Sequence, residues 1–467
     1  MRRIKNIHFV GIGGAGMGGI AEVLHNQGYL ITGSDLSSNK MVERLTGLGI
    51  KVTLGHTAEN IKDSDVVVIT SALSQNNPEL LAAKAAGIPV VRRAEMLAEL
   101  MRFGQGIAIA GTHGKTTTTS LLASIMATAN LDPTFVIGGK LNSLGANAKL
   151  GTGSYFIAEA DESDASFLHL NPVIAVVTNI DRDHMPTYGG DFQKLRQVFI
   201  DFLLRLPFYG MAVINIDDPV ARDIIPEICC QVVTYGRSAN ADYQLLDYEQ
   251  EECKSRFTVW HRASNTKFEL TMDLPGIHNA MNATATAALC LEERIELDYI
   301  KQAIANFTGI GRRFQVYKNI CLDNSDSKFT MIDDYGHHPN EVLAIITAIR
   351  TGWPQKRLVM LYQPHRYTRT RDLFTEFVGV LSQVDVLILL PVYAASELPL
   401  AGASSKDLHQ AILDNKINNS NKSCYYFDTF NDLFENLAII IKSDDIVVVQ
   451  GAGDISQIAD KLLTERA

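Results

Sequence analysis

The sequence predicts an α/β fold in three domains. Short runs rich in Val and Ile alternate with longer helical patterns along almost the whole chain, and examples are IHFVGI, DVVVIT, IAIAGT and VDVLILL. Apolar strands separated by helices are typical of parallel sheets that are covered on both faces. A length of 467 residues, at about 150 residues per domain, agrees with three domains.

The strand and helix patterns also predict where each domain lies. We expect a Rossmann-like domain at 1–102, a central P-loop ATPase-type domain at 103–310 and a second Rossmann-like domain at 311–467. Between 234 and 273 the segments RFTVWH and TKFELTM alternate apolar and polar residues. Such alternation is typical of antiparallel strands, so the central domain should combine a parallel sheet with a small antiparallel sheet.

Composition excludes several classes of protein. The 42 Lys and Arg against 52 Asp and Glu give a formal charge of −10, which argues against general nucleic-acid binding because that needs a basic face. No apolar run reaches the roughly 18 residues needed to span a bilayer. The six cysteines form no CxxC pair, which favours a reducing compartment without disulfides or zinc. We expect a cytoplasmic protein, either a monomer or a homodimer.

The first motif is a glycine turn, GIGGAG, between a predicted strand and a predicted helix. Gly11, Gly13 and Gly16 fit G-x-G-x-x-G, where glycines let backbone amides at a helix N-terminus approach a pyrophosphate. Asp35 closes the second strand, where a carboxylate can accept hydrogen bonds from ribose hydroxyls. The motif alone predicts dinucleotide binding and does not separate NAD from a nucleotide sugar, so a nicotinamide-dependent oxidoreductase remains an alternative.

The second motif, GTHGKTTTT, indicates a triphosphate site. It follows the strand IAIA and opens a helix, so its amides can cradle phosphates while Lys115 reaches the β- and γ-oxygens and Thr116 ligates Mg²⁺. The loop is shorter than the usual P-loop, because Ile109 stands where the first glycine is expected. This motif favours ATP over a simple dehydrogenase.

Two acidic or polar segments follow predicted strands in the central domain. FIAEADESDASF contains Glu159, Asp161, Glu162 and Asp164, and carboxylate oxygens at the end of a strand suit Mg²⁺. Glu159 lies inside the apolar run, where an unpaired charge would be costly. VIAVVTNIDRDHM adds His184 as a candidate ligand of a second metal or phosphate.

Further polar clusters lie at a helix start and at a domain junction. LPGIHNAMNATATAAL places His278, Asn279 and Asn282 at the start of a small-residue helix, where they could read an adenine edge or simply cap the helix. GIGRRFQ carries Arg312 and Arg313, which are positioned to reach a γ-phosphate.

The third domain has its polar residues at the strand ends that favour ligand sites in open α/β sheets. The segments IDDYGHHP and QPHRYTRT could together hold a small zwitterion. Their charged and imidazole side chains are those of Asp334, His337, His338, Arg366 and Arg369.

The motifs, in this order, resemble those of the Mur ligase family, the ATP-dependent amide-forming enzymes that build the peptide stem of peptidoglycan. The resemblance covers essentially the whole chain and includes GIGGAGM, GTHGKTTTT, EADESDASF, TNIDRDHM, PGIHNAMNA, GRRFQ and DDYGHHP. Within the family, ESDASFLHL and DDYGHHP favour the member that joins L-alanine to UDP-N-acetylmuramate over the one that attaches a preformed tripeptide to the same sugar nucleotide. One departure is Pro186, where the familiar DHMD ending has an aspartate.

The resemblance implies three groups of ligand-binding residues. The residues expected to contact the sugar nucleotide are Gly13, Gly14, Ala15, Gly16, Met17, Asp35 and Ser71. Those expected to bind ATP are Gly111, Thr112, His113, Gly114, Lys115, Thr116, Thr117, His278, Asn279, Asn282 and Asp334. Those expected to form the pocket for the amino acid are Tyr335, His337, Arg366 and Arg369.

The resemblance also implies the catalytic groups and two Mg²⁺ ions. Thr116 and Glu159 are expected to ligate one ion and His184 a second, and His337 is a candidate general base. The expected catalytic residues are Lys115, Glu159, His184, Arg313 and His337. In the expected reaction, the muramate carboxylate attacks ATP to give an acyl phosphate, which the amine of L-alanine then captures. A nucleotide-sensing protein of the same fold without catalysis is a third alternative.

Overall fold

The computed structural model describes residues 1, 3–70, 73–141, 146–322, 328–415 and 422–464. It has the predicted α/β class, with three sheets. Its contacts define two compact units. The first comprises Met1–Tyr248, Phe257–Thr271 and Asn279–Thr308, and the second comprises Glu249–Arg256, Met272–His278 and Gly309–Ala467. Within the described ranges, no helix is both long enough and apolar enough to cross a membrane.

The first sheet is parallel and has the order β3-β2-β1-β4-β5. Its strands are β1 (Asn6–Val10), β2 (Leu30–Asp35), β3 (Lys51–Leu54), β4 (Val66–Ile69) and β5 (Val90–Arg92). The helices are α1 (Ala15–Asn26), α2 (Lys40–Gly47), α3 (Pro78–Ala86) and α4 (Arg93–Met101). The strand order reverses direction beside β1, and ligands of open α/β sheets bind at that point.

The second sheet has the order β15-β14-β13-β12-β11-β10-β6-β9-β7-β8. Its strands are β6 (Gln105–Ala110), β7 (Thr134–Leu141), β8 (Ala146–Lys149), β9 (Tyr155–Glu159), β10 (Ile174–Val177), β11 (Met211–Asn215), β12 (Gln231–Gly236), β13 (Tyr243–Glu251), β14 (Lys254–His261) and β15 (Thr266–Met272). The helices are α5 (Lys115–Thr128), α6 (Phe192–Leu203), α7 (Pro219–Asp223), α8 (Ile277–Glu292) and α9 (Leu297–Ala305). The expected antiparallel segment is β13–β15, whose strands follow one another through short turns and extend the edge of this sheet at β12.

One hydrophobic cluster joins the first two sheets. It includes Phe9 of β1, Ile20 of α1, Val136 of β7 and Ala148 of β8. Helix α1 lies so close to β8 that a Cβ added to Gly19 would stand 3.2 Å from the Cβ of Ala148. This packing explains why residues 1–248, from both of the first two expected domains, lie in one compact unit, and the boundary between 102 and 103 stays a prediction.

The third sheet, in the second unit, has the order β16-β17-β21-β18-β19-β20 and is parallel except for β16. Its strands are β16 (Gln315–Cys321), β17 (Lys328–Asp334), β18 (Leu358–Tyr362), β19 (Val386–Leu389), β20 (Ser423–Tyr426) and β21 (Ile446–Gln450). The helices are α10 (Pro339–Gly352), α11 (Tyr367–Asp372), α12 (Phe374–Leu381), α13 (Ser405–Asn415), α14 (Phe430–Ile440) and α15 (Ser456–Thr464). The carboxyl ends of β17 and β18 are followed by the two polar motifs of the predicted amino-acid pocket.

Candidate active site

The glycine turn lies between β1 and α1, as the sequence predicts. Gly11 has a φ of +79°, which glycine adopts without strain. The amide of Gly13 donates to Asp35 Oδ2 at 2.8 Å, so the predicted ribose acceptor also holds the turn. Among the described side chains none caps α1, which begins after Gly14 and has no acid in its first turn. The amides of Ala15, Gly16 and Met17 therefore form an N-terminus that favours an anion; the structure does not describe the remaining predicted contact, Ser71.

The second glycine turn closes on its own lysine. Gly111 has a φ of +130° and Gly114 a φ of +83°, and α5 begins at Lys115. Lys115 Nζ donates to the carbonyl oxygens of Gly111 at 2.6 Å and Thr112 at 3.2 Å. It also donates to Glu162 Oε2 at 2.7 Å. Lys115 therefore contacts both the backbone of its own turn and the carboxylate of Glu162.

Residues that follow β10 hold this loop from the side. The amide of His113 donates to Asn179 Oδ1 at 2.8 Å, and Thr178 Oγ1 donates to the carbonyl oxygen of His113 at 2.6 Å. The amide of Asp181 donates to Thr112 Oγ1 at 2.8 Å. The role of these side chains as anchors of the loop was not predicted, although the polar run TNID at the end of a buried strand was an available signal.

The acidic segment after β9 supplies the partner of the lysine. Glu162 is only 2% exposed, and burial raises the pKa of its carboxyl to about 7 although Lys115 opposes this. Burial would also raise the pKa of Asp161, but Lys115, Ser163 and Arg93 outweigh it and lower that pKa. Burial would lower the pKa of Lys115, but Glu162, Asp161 and Glu159 outweigh it and raise that pKa. Lys115 and Asp161 are thus charged, and Glu162 is the missed partner of the predicted catalytic lysine.

The loop that carries His184 is tied to the acidic segment. His184 has a φ of +54°, and its Nε2 lies 3.5 Å from Asp183 Oδ2. Thr187 Oγ1 donates to the carbonyl oxygen of Ser163 at 2.7 Å, and the Tyr188 hydroxyl donates to that of Glu162. These bonds fix the position of the loop beside the acidic segment.

The predicted magnesium ligands have suitable chemistry. Glu159 ends β9, and its Oε2 would be 2.8 Å from a Cβ added to Gly138, so the carboxylate is packed closely against the neighbouring strand. Thr116 follows Lys115 in the first turn of α5. A hydroxyl and a carboxylate are hard oxygen donors of the kind Mg²⁺ prefers, and these residues fit such an ion.

The predicted adenine-side residues are divided between the two units. Asn279 and Asn282 are buried in α8. A Cβ added to Gly114 would lie 2.8 Å from Asn282 Oδ1, so this amide touches the phosphate loop. His278 belongs to the second unit, where burial lowers its pKa to about 4; Glu341 opposes this and Arg313 adds to it.

In the second unit, Asp334 is buried at the end of β17, and hydrogen bonds hold both of its carboxylate oxygens. Its Oδ2 accepts from the amide of Phe314 at 2.9 Å, and its Oδ1 accepts from the amide of Gly336 at 2.7 Å and from Gln450 Nε2 at 3.0 Å. Burial raises the pKa of this carboxyl. The three donors define its direction, which is a requirement for a group that positions a ligand.

Arg313 lies beside Glu341, which was not among the predicted site residues. Its Nη1 lies 3.6 Å from Glu341 Oε1, and its guanidinium is 5.3 Å from the ring centre of Tyr335. Glu341 Oε2 also accepts from the amides of His337 and His338, at 2.8 and 3.1 Å. Glu341 could have been found from its place three residues after His338, in the first turn of a predicted helix.

The remaining predicted pocket residues gather around His365. The ring centre of His365 is 5.4 Å from that of His337 and 5.5 Å from that of Tyr393, on which it stacks. Arg369 Nη1 lies 3.3 Å from His365 Nδ1, and Arg366, which immediately precedes α11, has a φ of +71°. Burial, helped by His337 and the two arginines, lowers the pKa of His365 to about 3, so this imidazole is neutral.

Family models account for three consecutive segments. Residues 6–105 match the Mur ligase family catalytic domain, residues 109–290 match the Mur ligase middle domain, and residues 312–453 match the Mur ligase glutamate ligase domain. The chain belongs to the Mur ligase family, and it is therefore an ATP-dependent ligase.

Solved structures of three ligases are similar to this chain. The UDP-N-acetylmuramate-alanine ligase of Thermotoga maritima is 26% identical, with 99% of each chain covered and a TM-score of 0.83. The murein peptide ligase of Psychrobacter arcticus is 21% identical, with 99% of this chain and 98% of that chain covered and a TM-score of 0.70. The UDP-N-acetylmuramate:L-alanyl-gamma-D-glutamyl-meso-diaminopimelate ligase of Neisseria meningitides is 27% identical, with 66% of this chain and 100% of that chain covered and a TM-score of 0.61.

Proposed function

We propose that this ligase joins L-alanine to the lactyl carboxylate of UDP-N-acetylmuramate, consuming ATP and releasing ADP, phosphate and UDP-N-acetylmuramoyl-L-alanine. The observation that carries the proposal is Lys115, which lies at the start of α5 in a glycine turn and contacts a buried carboxylate. The choice of substrates is supported by the similarity, over 99% of both chains, to a ligase named for UDP-N-acetylmuramate and alanine.

The first step activates a poor electrophile. A carboxylate oxygen of the lactyl group attacks the γ-phosphorus of ATP, the bond from this phosphorus to the β–γ bridging oxygen breaks, and ADP leaves. Lys115 and Arg313 offset the negative charge that accumulates when two anions meet. The amides of the turn from Gly111 to Gly114 hold the nucleotide in line. Mg²⁺ would supply additional charge neutralisation when bound, with Thr116 and Glu159 as the ligands of one ion and His184 as the ligand of a second.

The second step forms the amide. The amine of L-alanine, as the free base, attacks the acyl carbon, and the tetrahedral intermediate expels phosphate with the oxygen that came from the carboxylate. Arg366 or Arg369 would pair with the carboxylate of alanine, and Tyr335 would contact the small side chain. His337 would accept the proton from the amine, since its ring lies beside the neutral His365.

In this proposal each domain supplies most of the contacts to one substrate, and Arg313 and Asp334 of the third domain also contact ATP. Residues 1–102 would bind the sugar nucleotide through Gly13 and its neighbours, 103–310 would bind ATP, and 311–467 would bind the amino acid. Asn279 and Asn282 would read the adenine together with His278. Closure of the domains would exclude water and protect the acyl phosphate from hydrolysis.

The second candidate is ligation of a tripeptide to the same sugar nucleotide. The 27% identity to the Neisseria ligase, over 66% of this chain, favours its inclusion. Both candidates share the first step, so they differ only in the amine that is accepted.

Phosphate release tests the proposal. Purified protein with magnesium, ATP and UDP-N-acetylmuramate should release phosphate with L-alanine, and less with glycine or L-serine, because one methyl group or hydroxyl changes binding modestly. The tripeptide should support none. Release with the tripeptide alone would replace the first candidate with the second. Oxidation of NADH without phosphate release would instead indicate an oxidoreductase.

A further inference from the structure

Two cations stand beside two helix N-termini in the first unit. Lys115 belongs to the start of α5, and Arg93 is the first residue of α4 and lies against the first turn of α1. A Cβ added to Gly16 would be 3.3 Å from Arg93 Nη1 and 3.5 Å from its Cδ. The guanidinium thus borders the glycine turn that the proposed function assigns to the sugar nucleotide.

The position of Arg93 is electrostatically unfavourable in the protein alone. A helix N-terminus carries a partial positive charge, so a cation placed there is repelled. The first turn of α1 contains no acid, and no described side chain caps it. A guanidinium that borders unbonded helical amides forms a complete site once an anion lies between them.

In the absence of such an anion, Asp161 neutralises Arg93. Arg93 Nη2 lies 3.3 Å from Asp161 Oδ2, with 22% of the arginine side chain and 40% of the aspartate side chain exposed. Asp161 is further held by the amide of Ser163, which donates to its Oδ1 at 3.1 Å. A partly exposed pair of this kind contributes little, about 0–1 kcal/mol, so a diphosphate, with one negative charge on each phosphate group, can displace it.

We propose that Arg93 is a further substrate-binding residue, which grips the diphosphate of the sugar nucleotide together with the first-turn amides of α1. This proposal rests on the proposed function of the glycine turn. Asp161 orients the guanidinium before substrate arrives. Its neighbour Glu162 contacts Lys115 in the same way. A side chain at Gly16 would press against Arg93 and displace its guanidinium slightly from the turn.

Titration with UDP and with uridine tests this role. Arg93→Ala should weaken UDP binding by about 10- to 100-fold, the value of a hydrogen-bonded charge pair, and leave uridine binding unchanged because uridine has no phosphate. Arg93→Lys should recover part of the loss, because it keeps the charge without the two-pronged geometry. Gly16→Ala should weaken UDP binding in the same direction.

The matched control is Arg92→Ala, which removes the same charge from an exposed neighbour and should leave UDP binding unchanged. ADP affinity measured on each variant reports whether the central domain is intact. If wild-type protein binds UDP and Arg93→Ala binds it equally well, or loses uridine binding to the same extent, this inference is wrong and the proposed function stands. If wild-type protein does not bind UDP, the proposed function of the turn fails as well.

Discussion

Replacing Lys115 by methionine should destabilise the first unit as well as stop catalysis. Met keeps the length and apolar part of the side chain but removes the cation that faces Glu162 Oε2 at 2.7 Å. Glu162 is 2% exposed and Lys115 17% exposed, so solvent cannot replace the missing partner. The carboxyl must then remain buried and unpaired or take up a proton.

The expected cost follows from the burial of the pair. Removing one partner of a buried ion pair costs about 3–5 kcal/mol, and the partial exposure of Lys115 places the expectation near about 3 kcal/mol. The pKa of Glu162 is already raised to about 7, and losing Lys115 raises it further. A carboxyl with a raised folded-state pKa contributes stability at low pH, and this stability is lost as the pH rises through that pKa. Wild-type protein loses stability in the same way below about pH 7, so the penalty relative to wild type should grow only above about pH 7, by up to about 1.4 kcal/mol per pH unit.

Thermal and urea unfolding of the wild-type protein and two variants measure this penalty. Lys115→Met should unfold at lower temperature than the double variant Lys115→Met, Glu162→Gln, because the double variant leaves no buried charge unpaired. The difference between the two should shrink as the pH falls toward about 5, where Glu162 is protonated in the single variant. Equal stabilities at about pH 8 would refute the buried pair. Neither variant should form ADP, whatever its stability.

The other predictions concern the geometry of the second glycine turn and the residues of the second unit. Gly111→Ala should abolish ATP binding, because a φ of +130° strains alanine by about 1–3 kcal/mol and its Cβ would collide with Thr178 Oγ1. Calorimetric titration with ATP measures this loss. Gly47→Ala is the neutral control, because the space around Gly47 is open. Asp334→Asn should leave a buried amide without its acceptor, which costs about 1–3 kcal/mol of unfolding free energy and lowers the thermal midpoint. His365→Gln should raise the KM for alanine without changing the pH profile of kcat/KM between about pH 6 and pH 9, since its pKa is about 3; a shifted profile would contradict its neutrality.

Local patterns in the sequence predict the fold class and the turns. The apolar runs that form β6 and β10, each followed by polar residues, predict the positions of these strands to within a few residues. The glycine turn before Lys115 is predicted equally well. Strand and helix periods act over such short distances, because they reflect which face of one element is buried.

The sequence did not predict contacts between distant segments. Lys115 and Glu162 are 47 positions apart, and Arg93 and Asp161 are 68 apart. Their pairing depends on which strands become neighbours, and the sequence does not encode that in any local period. The stack of His365 on Tyr393 arises similarly from an isolated bridge between two loops. The motif DES after a strand predicted an acidic loop, but it did not predict that Asp161 would face Arg93 or that Glu162 would face Lys115.

The most direct test of the account follows an isotope from the sugar nucleotide. UDP-N-acetylmuramate labelled with oxygen-18 in the lactyl carboxylate is incubated with ATP, magnesium and L-alanine, and the released phosphate is examined by mass spectrometry. An acyl phosphate predicts one heavy oxygen in the phosphate for each amide formed, since the attacking carboxylate oxygen departs with phosphorus. Phosphate without label, in the presence of amide product, would contradict activation of the carboxylate by ATP.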